Sequence, residues 1–174
     1  VKAKLKQLKI SEIWDVIHNY QQNTGTQPKS CMNMDLAQIK KIQQSGLVNI
    51  GAHTMNHPIL KNESDKSAEY EIGTSITELS TLLDTTINSF AYPNGKPCFD
   101  YGVREMSILK QHKIKFAFST EERTLTVDDD LLSIPRSGFE GGSTPYIYLK
   151  LMSGGNLNKL KKMLNKKDES SYRL

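Results

Sequence analysis

The pattern that most restricts the fold of this chain is an alternation of short apolar segments with longer segments of helical periodicity. Strand-like apolar runs lie at residues 47–52, 87–92, 115–119 and 131–134. Helical segments are predicted at residues 3–20, 33–46, 66–83, 101–112, 146–152 and 157–164, with a polar loop at 21–30. Strands that alternate with helices favour an α/β fold in which the strands are mostly parallel.

The composition is that of an ordinary globular protein, with 37% hydrophobic and 24% charged residues in a chain of 174. It contains no apolar run of about 18 residues, so we expect no transmembrane helix. The Lys-rich first ten residues lack the apolar segment of a secretory signal, and the chain begins with Val1 rather than Met. This start fits a processed protein or a fragment, and it leaves the localisation unpredicted.

The net charge of +4 comes with lysines clustered at both ends of the chain. The clustered residues are Lys2, Lys4, Lys6, Lys9, Lys159, Lys161, Lys162, Lys166 and Lys167. Such clusters can contact nucleic acid or an anionic membrane, but no nucleic-acid-binding motif accompanies them. We therefore interpret them as solvated helix faces and expect no nucleic-acid partner.

Two histidines four residues apart, His53 and His57, directly follow the predicted strand at 47–52. Active sites of α/β proteins lie at the carboxyl ends of strands, and Gly51 and Pro58 suggest a tight loop there. Imidazoles one helical turn apart can face one metal ion, and two such ligands leave room for a carboxylate and water. That composition is typical of a hydrolytic metal site. The spacing by itself is a weak signal, because surface helices carry it by chance.

Two motifs together resemble those of the polysaccharide deacetylase (NodB-homology) family. The segment IGAHTMNHPIL resembles the family's His-Ser/Thr-x-x-His motif, and Ala91-Tyr92-Pro93-Asn94-Gly95 resembles its Arg-x-Pro-x-Gly motif. The segments FAFST and IPRSGF, further along the chain, resemble two strands of one branch of the family. The resemblance covers about residues 30–140.

The resemblance implies a metal-dependent hydrolase that removes N-acetyl groups from an N-acetylglucosamine-containing polysaccharide. His53 and His57 would bind a divalent metal, usually zinc, and Thr54 would brace the loop by hydrogen bonds. The metal would polarise the acetamide carbonyl and lower the pKa of its bound water. By this resemblance we expect a bacterial protein that acts outside the cell or at its surface.

The second motif would line the substrate groove. By resemblance, Tyr92, Pro93 and Gly95 bind substrate and shape the groove wall, and the backbone N–H of Asn94 contributes to an oxyanion hole. The Arg that normally orients the catalytic base is replaced by Ala91. We hypothesise that Arg136 takes over this orienting role; the alternative is a surface arginine.

The family's fold is a distorted (β/α) barrel, and its first motif, Thr-Phe-Asp-Asp-Gly, is absent from this chain. That motif supplies the base and the third metal ligand. Asp15 and Asp35 are the aspartates that precede His53, and we interpret both as structural. We therefore predict a partial α/β barrel that lacks its first strands. The expected parts are a helical insertion at 1–30, the C-terminal part of the deacetylase domain at 31–155, and a basic helix and tail at 156–174.

The family's Leu-x-x-His motif, which carries the catalytic acid, is not recognisable. His18 is predicted to be solvated and His112 to lie at a helix C-terminus, so the acid is unassigned. Without a base, the chain is expected to be inactive or nearly so. The alternative is a non-catalytic pseudoenzyme or a glycan-binding remnant of the same fold. Missing strands would leave unpaired edges, through which we predict self-association.

Overall fold

The computed structural model describes residues 2–30, 33–136 and 144–152. The helices are α1 (Lys2–Leu5), α2 (Ile10–Thr24), α3 (Leu36–Gln44), α4 (Asp65–Glu69), α5 (Ser75–Leu83), α6 (Val103–Gln111) and α7 (Thr144–Met152). The strands are β1 (Ser89–Ala91) and β2 (Phe116–Phe118). A 3₁₀ turn occupies Leu60–Asn62 and a π-helical turn occupies Tyr70–Thr74. In the part of the chain so described, no helix has the length and apolar character needed to cross a membrane.

The sheet is small and parallel, as the alternation of elements predicts. Residues 89–91 of β1 pair with 116–118 of β2. Single parallel bridges extend the sheet on both sides, from Ala52 to Phe90 and from Ile134 to Phe118. The order of segments is therefore Ala52, β1, β2, Ile134, which places four carboxyl ends along one edge.

The outer two predicted strands are much shorter than expected. Each of the segments 47–52 and 131–134 forms a single bridge, at Ala52 and at Ile134, and the Leu131 carbonyl also accepts a hydrogen bond from the Ala117 N–H at 2.8 Å. Leu47 is 89% exposed, so no segment in the described part of the chain covers the start of the first run. Local composition favours a strand there, but a strand also needs a partner for its backbone hydrogen bonds.

The N-terminal helices differ in detail from the prediction. The single helix predicted at 3–20 is two helices, α1 and α2, and α2 continues to Thr24. The next helix, predicted to start near residue 33, begins at Leu36 and is capped by Asp35. The Asp35 carboxylate accepts a hydrogen bond from the Gln38 N–H at 2.8 Å, and the Gln38 side chain accepts from the Asp35 N–H at 3.0 Å. This capping box confirms the structural role of Asp35.

The long helix predicted at 66–83 is confirmed as one helical stretch, which runs from α4 through the π-helical turn into α5. The helices predicted at 101–112 and 146–152 are α6 and α7. The helix predicted at 157–164 and the tail at 156–174 lie outside the described residues.

The hydrophobic core joins the sheet to helices α4, α5 and α6. Its members are Ala52, Leu60, Ala68, Ile72, Ile76, Leu83, Ile87, Phe90, Tyr92, Tyr101, Ile108, Leu109, Ile114 and Ala117. Helices α2 and α3 contain no buried residue. The core therefore supports the edge of the sheet from which both sequence motifs emerge.

Candidate active site

The two sequence motifs meet at the carboxyl edge of the parallel sheet. The loop at 53–57, which we call the histidine loop, follows the Ala52 bridge, and the turn at 92–95 follows β1. Gly51 allows this approach, because a Cβ at that position would lie 2.6 Å from the Ser89 Oγ and 3.0 Å from the Ser89 carbonyl oxygen. Residues far apart in sequence thus become neighbours.

The two histidines predicted to bind metal lie side by side. The ring centroids of His53 and His57 are 4.9 Å apart with an interplanar angle of 76°, and both side chains are exposed. The Nδ1 atom of His53 lies 2.6 Å from the Ala91 carbonyl oxygen. A carbonyl can only accept, so Nδ1 carries the proton and the lone pair of the neutral ring is on Nε2. Metal-binding histidines are commonly oriented by such a bond, and this donor set fits a divalent metal.

The pKa of His53 lies below its ordinary value. Partial burial is the largest cause, and the charges of His57 and Arg136 act in the same direction. These effects outweigh the hydrogen bond to Ala91, which raises the pKa. The lowered pKa keeps the ring neutral, the form that binds a metal, over a wider pH range.

The histidine loop is not helical, so the helical-turn argument for its spacing is wrong even though the rings do meet. Thr54 has φ 65° and His57 has φ 57°, both in the left-handed region. Left-handed backbone at residues other than glycine costs about 1–3 kcal/mol each and persists where the surroundings compensate. The Thr54 Oγ1 accepts a hydrogen bond from the His57 N–H at 3.1 Å, which confirms the predicted bracing.

Glu71, on the π-helical turn, contacts the same loop and was missed by sequence reasoning. Its side chain is buried, and Oε2 accepts hydrogen bonds from the backbone N–H groups of Met55 at 3.0 Å and Asn56 at 2.8 Å. Its Oε1 accepts from the Asn56 Nδ2 at 2.7 Å. Its spacing could have indicated burial, because Glu71 lies three residues after the buried Ala68 and four before the buried Ser75 on the same helical stretch.

The turn at 92–95 is tied to the end of β2. Asn94 and Gly95 both have left-handed backbone, with φ 56° and 72°. The Thr120 N–H donates to the Gly95 carbonyl at 2.8 Å, and the Thr120 Oγ1 donates to the Asn94 carbonyl at 2.5 Å. No acceptor for the Asn94 N–H is found among the described residues. The predicted oxyanion role of that N–H stays a prediction, and the geometry is compatible with it.

Tyr92 supports this turn from the core side. Its ring is buried, stacks on Tyr101 with centroids 3.5 Å apart, and donates its hydroxyl hydrogen to the Leu132 carbonyl at 2.8 Å. Burial, and then the neighbouring Tyr101, raise the pKa of Tyr92 above its ordinary value. Pro93 and Gly95 are buried as well. Substrate binding by these three residues stays a prediction, and Tyr92 would act through the position of the turn.

Comparison with known proteins identifies the family. A sequence profile described as polysaccharide deacetylase matches residues 4–117, more than half of the chain. The chain belongs to the polysaccharide deacetylase family. No match was found among curated protein sequences.

Several solved structures share the deacetylase fold. The Streptococcus pyogenes deacetylase PplD in complex with acetate is 26% identical, with a TM-score of 0.62, over 72% of this chain and 52% of that one. The BpsB deacetylase domain from Bordetella bronchiseptica is 18% identical, with a TM-score of 0.54, over 66% of this chain and 55% of that one. IcaB from Ammonifex degensii is 20% identical, with a TM-score of 0.54, over 67% of this chain and 52% of that one. The fold is thus a partial α/β barrel of the NodB-homology type, and the chain spans about half the length of these structures.

The remaining candidate residues of this deacetylase-family chain fall into two groups. Arg136 is exposed, and its charge reaches the His53 ring; its orienting role stays a prediction. Asp15 and His18 are exposed on α2, and the His112 Nε2 lies 2.6 Å from the Glu69 Oε1 at the end of α6. These three lie in structural or solvated positions, as predicted. Across residues 2–30, 33–136 and 144–152, no group of three His, Cys, Asp or Glu side chains is placed to hold a metal ion.

Proposed function

We propose that this chain forms part of the active site of a zinc-dependent hydrolase that removes N-acetyl groups from an N-acetylglucosamine-containing polysaccharide. One observation carries the proposal. The hydrogen bond from His53 Nδ1 to the Ala91 carbonyl joins the two motifs and leaves His53 Nε2 for a metal, beside His57. Imidazole ligands suit zinc among the divalent metals available to proteins.

His53 and His57 would hold the metal at the carboxyl edge of the sheet. A bound zinc ion would supply Lewis-acid polarisation of the acetamide carbonyl and a water of lowered pKa. The Ala91 carbonyl and the Thr54 hydroxyl hold the two histidine residues in place for this task. Among the described residues no third ligand is placed beside the two histidines, so another segment would supply the third ligand, and the base is unassigned.

The turn at 92–95 would stabilise the charge that develops on the substrate oxygen. The Asn94 N–H would donate a hydrogen bond to that oxygen, and Thr120 holds the turn through the Asn94 and Gly95 carbonyls. Pro93 and Gly95 would shape the adjacent groove wall. Arg136 would orient the base through its charge.

Family membership and the fold support a glycan as substrate. The relative from Streptococcus pyogenes is a deacetylase in complex with acetate, and acetate is what the removal of an acetyl group releases. Polysaccharides of this kind lie outside the cytoplasm, so we place the protein at the surface of a bacterial cell or outside it. The chain by itself is expected to hydrolyse little, because the base is unassigned.

The proposal is tested by acetate release from an acetylated chito-oligomer. We expect low activity that zinc increases and that a chelator or His53→Ala abolishes. Hydrolysis that survives both treatments would place the reaction elsewhere and overturn the proposal. Robust activity that depends on zinc would show instead that the base lies within this chain.

A second candidate function, a non-catalytic glycan-binding protein of the same fold, is favoured by one observation. The described residues bring together two potential metal ligands and not three. This candidate predicts no bound metal by elemental analysis and retention on a chitin-oligomer column that His53→Ala leaves unchanged. Stoichiometric zinc that is lost on His53→Ala would exclude it.

A further inference from the structure

Glu71 is a buried carboxylate that no step of the proposed reaction uses. Its side chain is 1% exposed, so its charge is removed from water. A buried carboxylate needs hydrogen-bond donors. Among the described residues, three donors contact this one, and all belong to Met55 and Asn56 of the histidine loop. The carboxylate and the loop therefore form one unit.

The π-helical turn allows Glu71 to contact the histidine loop while its neighbour, Ile72, stays in the hydrophobic core. Glu71 and Ile72 lie on the π-helical turn, and both are buried. A π turn holds an extra residue relative to an α turn, which rotates the subsequent residues by about 100° around the axis. Such turns occur often at functional sites. Here the turn lets one residue contact the histidine loop while the next packs in the core.

The backbone of the loop requires such support. Glu71 accepts hydrogen bonds from the backbone N–H groups of Met55 and Asn56. These residues lie between Thr54 and His57, which both have left-handed backbone. Conformations of this kind persist when surrounding contacts determine them. The hydrogen bond from His53 to Ala91 holds one end of the loop, and Glu71 holds its middle.

We propose that Glu71 is a positioning residue, whose carboxylate fixes the histidine loop so that His53 and His57 face one metal ion. The inference rests on the proposed function for the metal, but the hydrogen bonds that carry it are independent of any metal. Residues that orient metal ligands typically contribute 10-fold to 100-fold to metal affinity.

The matched variants are Glu71→Gln and Glu105→Gln. Both replace a buried helix carboxylate by an amide of nearly equal size, and Glu105 is 2% exposed. Glu105 accepts a hydrogen bond from the Gly102 N–H at 2.7 Å and pairs with Arg104, so it serves a different loop. A general effect of losing a buried charge should appear in both variants. An effect on the histidine loop should appear in Glu71→Gln alone.

The first measurement is amide hydrogen exchange at Met55 and Asn56 in the metal-free protein. We expect exchange at least tenfold faster in Glu71→Gln and unchanged in Glu105→Gln. Unchanged protection in Glu71→Gln would overturn the inference without any reference to metal.

The second measurement is zinc affinity, by competition with a chromogenic chelator, together with the absorption spectrum of the cobalt-substituted protein. Glu71→Gln should weaken zinc binding by about 10-fold to 100-fold and alter the cobalt spectrum. Glu105→Gln should stay within about twofold of the parent. Asn56→Ala, which removes one of the three hydrogen bonds, should give a smaller loss of zinc affinity. It replaces Glu71→Gln as the test variant if Glu71→Gln does not fold.

The outcomes separate the inference from the function on which it rests. Zinc binding that is lost on His53→Ala but unaffected by Glu71→Gln overturns the inference and leaves the proposed function standing. Equal losses in Glu71→Gln and Glu105→Gln also overturn it, because they indicate general destabilisation. A parent protein that binds no zinc overturns the proposed function, and the positioning role with it.

Discussion

The N-terminal helical region and the region that carries the site bury their side chains to very different extents. Among the described residues from 4 to 51, no side chain is buried, although α2 and α3 are amphipathic. From Ala52 to Ala117, strands and helices share one core. Periodicity predicts helices in both regions equally well. Helical periodicity therefore identifies an apolar face but does not identify the segment that covers it.

Polar contacts attach the segment that holds α1 and α2, whereas α3 also packs the half-buried Ile39 against the core. The Ile10 N–H donates to the Glu63 Oε1 at 2.7 Å. The Asn62 Nδ2 donates to the carbonyls of Lys6 at 3.0 Å and Leu8 at 3.2 Å. Each such bond contributes about 0.5–1.5 kcal/mol net, so these contacts set position more than stability.

The largest expected effect contrasts an aromatic residue from each region. Phe90→Ala should lower the free energy of unfolding by about 3–5 kcal/mol, because it leaves a cavity between β1 and the helices. Trp14→Ala should lower it by less than about 1 kcal/mol, since Trp14 is 45% exposed. Urea denaturation measures both. Equal losses would show that α2 has a partner that covers its apolar face.

The next effect contrasts two left-handed glycines. Gly25 has φ 67° and open space around it, so Gly25→Ala should cost about 1–2 kcal/mol of stability for the backbone conformation. At Gly95 a Cβ would also lie 3.0 Å from the Tyr92 carbonyl oxygen and 3.1 Å from the Thr120 backbone N, which raises the expected cost to about 2–4 kcal/mol. Thermal unfolding of both variants tests the difference. A smaller loss at Gly95 would mean that the turn is not held against β2.

Self-association is a third test of the comparison. The exposed face of α2, which includes Trp14 and Ile17, adds an apolar surface to the strand edges through which association is predicted. Trp14→Glu with Ile17→Glu should weaken association about tenfold, equivalent to about 1.4 kcal/mol. Val127→Glu, at a fully exposed position, is the control and should have no effect. Sedimentation velocity over a range of concentrations measures this, and a parent protein that is monomeric throughout would refute it.

The smallest expected effect is the dependence of stability on pH that comes from His53 in the metal-free protein. An unfolded histidine titrates near pH 6.5, and burial, then His57 and Arg136, lower the folded pKa below that value. The unfolded chain therefore binds the proton first, and stability falls as the pH drops from 6.5 toward the folded pKa. NMR should give a midpoint below 6.5 for His53, and Arg136→Gln should raise it. A midpoint at or above 6.5 in the parent would contradict the electrostatic account.

Much of the fold was predictable because it depends on local chemistry. Apolar runs next to turn residues indicate the two paired strands, and helical periodicity indicates α6 and the stretch from α4 to α5. The spacing of His53 and His57 was visible in the same way, whereas the Thr54 brace and the turn at 92–95 were expected from the resemblance to the family's motifs. The sequence did not predict that 47–51 finds no bridge partner among the described residues, nor that Asp35 caps α3, because both depend on which neighbour or donor is present.

The sequence by itself indicated the family, the parallel α/β pattern and the two motifs that meet at the edge of the sheet. Tertiary structure decided how those residues are held. The Ala91 carbonyl accepts from His53 across 38 positions, and Glu71 reaches Asn56 across 15, so no local pattern contains either contact. The same holds for the exposed face of α2, because burial depends on packing between distant segments. A hydrogen bond or a buried face requires two partners, and the sequence around one partner does not predict which distant residue is the other.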